Sequence, residues 1–221
     1  MSQPPQRSQP AFNATPVVLA LIAINAAIHA VRLALPAEWS MIAGTLGGFS
    51  PPWFLAAVVG EGAPYSAILL LSPLTYAFLH ADLLHLTLNM AFLLAFGTPM
   101  ERRLGRGWFL GLYIACALFA AGTSVALYLY SHEQTIMVGA SGAISGLFGA
   151  VLRLTTRRVW LVIAVFIASN VILGYTGIPG TGEVRSIAWE AHIGGFLAGL
   201  ILFPLFDGLR AGGGRLGRGN S

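Results

Sequence analysis

Apolar runs separated by short polar or glycine-rich breaks recur along the chain, and most are about the 20 residues needed to cross a hydrocarbon layer about 30 Å thick. Their positions predict helices near 15–35, 77–99, 108–130, 159–175 and 187–206. A sixth apolar run, from Ser141 to about Leu154, is shorter. The connection 36–74 is mixed: it holds Trp39, Phe49, Pro51, Pro52, Trp53 and Phe54 and no arginine. Tryptophan there suits an outer membrane interface, with a disordered linker as the competing reading. The expected fold is therefore an all-α membrane protein of six transmembrane helices, occupying residues 15–207. The proline-rich polar segment 1–14 and the Gly/Arg-rich segment 208–221 are expected to be flexible tails.

Composition narrows the class. Charged residues make up 9% of the chain and hydrophobic ones 56%, with a mean hydropathy of +0.76. A water-soluble domain carries about 25% charge, so neither a soluble globule nor a disordered chain fits. All 12 basic residues are arginine. Arg7, Arg102, Arg103, Arg106, Arg153, Arg157, Arg158, Arg210, Arg215 and Arg218 fall on one side of a six-span arrangement, with Arg185 and Arg32 on the other. The positive-inside rule then places both termini in the cytoplasm. The expected setting is a cell membrane, of the bacterial inner-membrane kind. No basic patch interleaved with aromatics points to nucleic acid, and the single cysteine, Cys116, reads as packing.

Polar groups are costly in hydrocarbon, so those within the spans are candidates for function. The second span carries His80, Asp82, His85 and Asn89, the fourth opens at Ser141, and the sixth holds Glu190 and His192. At 1.5 Å per residue, Ser141 stands roughly 18 Å above Arg153, Asn89 roughly 18 Å above Glu101, His192 roughly 22 Å above Asp207, and His85 roughly 24 Å up by the same rule. Four side chains from three helices thus converge on one level. A fourth helix this short must begin within the bilayer, with its free N–H groups facing protein or a watery cavity. Gly142 and Gly146 on the fourth span, and Gly195 and Gly199 on the sixth, permit close backbone approach.

These groups suit nucleophilic catalysis. Ser141 would attack, His192 would take its proton, and His85, Asn89 and the Ser141 N–H would face an oxyanion. Glu190 lies two residues off the face of His192, which favours a dyad over a triad. For a metal site, His80 and His85 are five apart and no carboxylate or cysteine completes a ligand set, so no metal is expected. Asn25, His29 and Asn170 have no nameable partners, and interhelical hydrogen bonding is their expected role.

The stretches HADLLHLTLNM (His80–Met90), ERRLG (Glu101–Gly105), GASGAISGLFG (Gly139–Gly149) and AHIGGFLAG (Ala191–Gly199) together resemble the rhomboid family of intramembrane serine proteases, across about 70–207. The resemblance implies a rhomboid-like bundle, Ser141 as nucleophile, His192 as base, His85 and Asn89 on the oxyanion side, His80 as structural, and no cofactor. It also implies cleavage of single-span membrane-protein substrates near the outer side of the lipid bilayer. A catalytically silent relative that binds transmembrane clients is the alternative, and a transporter is disfavoured because polar residues occupy only the outer half. Two features depart from the family pattern. Ser145 stands where many members carry an aromatic that packs on the base, and SPLTYAF precedes His80 without the Trp-Arg pair of some first loops. The first departure predicts a looser His192.

Overall fold

A computed structural model describes residues 14–61, 64–132, 136–155, 159–176 and 188–216, the final five by backbone alone. Every extended element among them is helical: α1 (Pro16–Ala34), α2 (Ala37–Gly47), α3 (Pro51–Val58), α4 (Ser66–Thr75), α5 (Leu83–Phe92), α6 (Thr98–Leu104), α7 (Arg106–Ser131), α8 (Ser141–Thr155), α9 (Val159–Thr176) and α10 (Trp189–Leu216). A π turn over Leu93–Gly97 joins α5 to α6, so Leu83–Leu104 runs as one helical segment. Among the described residues five segments are long and apolar enough to span a membrane, and two shorter apolar stretches stand beside them, Ser66–Phe78 and the 15-residue α8.

The helices differ from the sequence expectation at three points. The second span begins at Leu83 rather than 77, because the chain breaks after a 3-10 turn at Tyr76–Phe78. Asp82 then caps the new helix, its carboxylate accepting the His85 N–H at 2.7 Å. A short side-chain acceptor at this position satisfies an N–H that the first turn leaves free. His80 and Asp82 consequently lie outside the helix. The connection 36–74 is not a linker but holds α2, α3 and α4, started in two cases by prolines at or just before the first turn. Finally, α10 continues past Asp207 to Leu216, so the boundary drawn at 207 falls inside a helix. Residues 1–13 and the side chains of Arg7, Arg157, Arg158, Arg185, Arg215 and Arg218 lie outside the described residues.

Helices α7, α8 and α10 pack on one another as the centre of the bundle. The buried face of α7 runs Phe109, Leu112, Tyr113, Cys116, Ala117, Ala120, Ala121 and Ser124, a 3–4 residue stripe of one helix face. Against it lie Ala143, Leu147 and Ala150 of α8 and Ala191, Ala198 and Phe203 of α10. Helices α3 and α4 cover α7, while α1 lies along the segment α5–α6. Large apolar side chains such as Leu33, Leu84, Trp160, Leu161 and Ile201 face outward, as expected where the solvent is lipid. The chain is a multi-pass membrane protein.

At the end of the bundle far from Ser141, ERRLG ties three helices together. The buried Glu101 carboxylate accepts the Val17 and Val18 N–H groups at 3.1 and 2.9 Å, which caps the start of α1. Arg103 forms a two-pronged pair with Asp207 of α10, at 2.8 and 2.6 Å. The segment α5–α6 and α10 are therefore fixed level at one end, and helical rise carries His85 and His192 to similar heights above it.

Candidate active site

The positions of Ser141 and His192 follow from atoms the helices lack. A Cβ on Gly195 would sit on the Gly142 carbonyl oxygen, and a Cβ on Gly199 on the Gly146 carbonyl oxygen. Both contacts advance by four residues in the same direction, so α8 and α10 run parallel, backbone against backbone, in fixed register. A Cβ on Gly146 would also collide with the Cys116 side chain of α7. Ser141 is the residue before the first contact on α8, and His192 lies three before its counterpart on α10. Their side chains meet: Ser141 Oγ and His192 Nε2 are 2.7 Å apart.

The loop into α8 is held by residues distant in sequence. Met137 and Phe49 exchange two backbone hydrogen bonds, at 2.9 and 2.8 Å, and the Gly139 N–H donates to the Tyr76 carbonyl at 2.9 Å. Gly139 has φ +117°, a conformation side chains rarely adopt. It is also crowded, since a Cβ there would meet His85 Nε2 at 2.8 Å and lie 3.6 Å from Ser141 Oγ. The ring of His85 therefore borders the same small space as the serine hydroxyl. The first N–H groups of α8, which starts at Ser141, have no carbonyl of their own helix to bond.

Asn89 is buried one turn along from His85, and its amide donates to the His85 carbonyl at 2.9 Å, leaving a second amide N–H. His80 packs edge-on against His85, ring centroids 5.2 Å apart, and its carbonyl accepts from Arg32 at 3.1 Å. Asn25 is buried but bonds within its own helix, to Leu21 O at 2.8 Å. Glu190 turns from the imidazole toward α7, where it accepts from Ser124 at 3.0 Å. No three His, Cys, Asp or Glu side chains cluster as metal ligands among the described residues.

One site residue was not foreseen in its place. Asn170 of α9 puts its Oδ1 2.7 Å from His192 Nδ1. Depth would have flagged it: 11 residues above the start of α9, it stands roughly 16 Å up, close to the level of Ser141. A loosely held His192 was expected from Ser145, yet both ring nitrogens have side-chain partners.

A helical membrane bundle with a serine hydroxyl on an imidazole, at the start of an internal short helix, defines a class of candidate hydrolases. The model of the Rhomboid domain matches residues 70–206, and the chain belongs to the rhomboid family. It is 36% identical to the rhomboid protease GluP of Bacillus subtilis (strain 168) over 129 residues, 57% of this chain and 24% of that protein. It is 32% identical to the rhomboid protease GlpG of Serratia proteamaculans (strain 568) over 134 residues, 58% and 45% of the two chains. With rhomboid-like protease 1 of Toxoplasma gondii the identity is 29% over 212 residues, 90% and 66%. The chain spans less than two thirds of the length of each of these relatives.

Proposed function

We propose that this protein is an intramembrane serine endopeptidase that cleaves transmembrane segments of single-span membrane proteins. The observation that carries the proposal is the 2.7 Å contact between Ser141 Oγ and His192 Nε2. On this reading His192 takes the serine proton as Oγ attacks the scissile carbonyl, then gives it to the departing amine. The acyl-enzyme that remains is opened by water, with the same imidazole as base. On the same reading the developing oxyanion is met by N–H groups at the start of α8 and by His85 and Asn89. The reaction needs no cofactor.

The five long helices and α8 make the six spans of this proposal, with α8 beginning inside the bilayer and both termini in the cytoplasm of a bacterial cell. Several relatives carry the word protease in their names, which supports the reading. A silent relative that only binds transmembrane clients has no need of a hydroxyl held on an imidazole, so the contact favours the enzyme. The test is cleavage of a model single-span substrate in detergent, with fluorophosphonate labelling. Wild type should cleave and label, Ser141→Ala should do neither, and His192→Ala should label only weakly. Equal labelling of all three would refute the pair.

A further inference from the structure

Resting on the proteolytic reading, we infer that Asn170 is a positioning residue for the base: it selects the tautomer of His192 that can accept the Ser141 proton. The amide has two ends and only one leaves the base usable. If its NH2 faced the ring, Nδ1 would have to accept, the ring proton would sit on Nε2, and Nε2–H would point at the serine oxygen. No proton could then be taken from the hydroxyl.

The structure fixes which end faces the ring. Asn170 Nδ2 lies 2.8 Å from the Phe166 carbonyl, and a backbone carbonyl only accepts, so the amide nitrogen belongs on that side. Oδ1 is left toward the imidazole, 2.7 Å from Nδ1. An amide oxygen only accepts, so Nδ1 carries the hydrogen and Nε2 presents its lone pair to Ser141 Oγ at 2.7 Å. Phe166 carbonyl, Asn170 amide, His192 ring and Ser141 hydroxyl form one directed chain of hydrogen bonds.

Packing holds this chain in register. Phe166 lies four residues before Asn170 and Phe196 four after His192, so each pair shares a helix face. The two phenyl rings stack with centroids 4.4 Å apart, and Phe148 of α8 touches both. Helices α9 and α10 are thus joined by two adjacent rungs, one aromatic and one polar. The Asn170 rung supplies an orienting contact to the imidazole in a chain that has Ser145 where an aromatic was expected.

The test uses full-length protein with 15N-labelled histidine in detergent micelles, the His192 signal being assigned by its loss in His192→Ala. Wild type should show the proton on Nδ1 and a bare Nε2. Asn170→Leu should lower kcat about 10–100-fold with KM within about twofold, and His192 should lose its single tautomer. Asn170→Asp keeps an acceptor in place and should restore kcat to within about fivefold of wild type. A wild-type proton on Nε2, a leucine variant within about twofold of wild type, or an aspartate variant as slow as leucine would each overturn the inference. If the leucine variant does not fold, a wild-type proton on Nε2 would still overturn the inference. Loss of the proteolytic reading is separately visible, as a wild type that neither cleaves nor labels while its tautomer is still measured.

Discussion

Replacing Gly195 by alanine is expected to disable the site without touching any reacting group. The added Cβ would fall on the Gly142 carbonyl oxygen and 2.8 Å from its carbon, where real Cβ atoms keep at least 3.0 Å. Both obstacles are backbone, so no side chain can turn aside, and α8 and α10 must part by about 1 Å at a cost of about 1–3 kcal/mol. Ser141 and His192 flank that contact at 2.7 Å, and an added ångström takes them beyond hydrogen-bond range. Misplacement of that size costs on the order of 10²-fold in turnover. The same change at Gly122 is the control: a Cβ there meets nothing within 4 Å, and alanine should stabilise α7 by about 0.5–1 kcal/mol. The assay is cleavage of a single-span substrate in detergent, alongside apparent unfolding temperatures at one scan rate. Gly195→Ala should lower both turnover and unfolding temperature, and Gly122→Ala should leave turnover alone while raising the temperature. Unchanged turnover and stability in Gly195→Ala would mean that the helices do not meet backbone to backbone.

Other expectations concern the rest of the site and the opposite end of the bundle. His85→Ala and Asn89→Ala should each reduce kcat by about 10²–10³-fold, as removal of one oxyanion donor does; losses under tenfold in both would remove them from that role. Glu101→Ala leaves the buried Val18 N–H without its acceptor and should cost about 1–3 kcal/mol, seen as a lower unfolding temperature; no change would show that the cap is dispensable. Arg103→Ala breaks a half-exposed pair and should cost no more than about 1 kcal/mol, so a larger loss than in Glu101→Ala would reverse the assigned importance of the two. A reporter active only outside the cytoplasm should stay silent when fused after Ser221, and a strong signal would overturn the orientation.

Much of this was legible in the chain because hydropathy and helical rise are both nearly one-dimensional. Apolar run lengths located the long helices, and counting residues from Glu101, Arg153 and Asp207 brought Ser141, His192, His85 and Asn89 to one depth. Direction around the helix axis was harder to read. Glu190 precedes His192 by two residues, which turns it about 200° away, and what it meets there, Ser124, depends on where α7 lies. Asn170 had the right depth, but its partner is set by the rotation of α9, a helix apolar on nearly every face. The break before Leu83 was hidden because apolar residues stand on both sides of His80 and Asp82, and only the cap at Asp82 starts the new helix. Likewise, Glu101 reads as an interfacial charge until α1 is known to begin beside it.

The long sequence separations within the site also set when it can exist. Ser141 and His192 are 51 residues apart, and the strap between Arg103 and Asp207 spans 104. At a synthesis rate of about 5–20 residues per second, a growing chain carries its serine for roughly 3–10 s before the histidine has been made. Until α10 enters, the Gly142 and Gly146 carbonyls have no glycine opposite them and the hydroxyl has no base. On the proposed reading, a nascent chain among newly inserted membrane proteins is therefore inert, and its capacity to cut them arrives with α10.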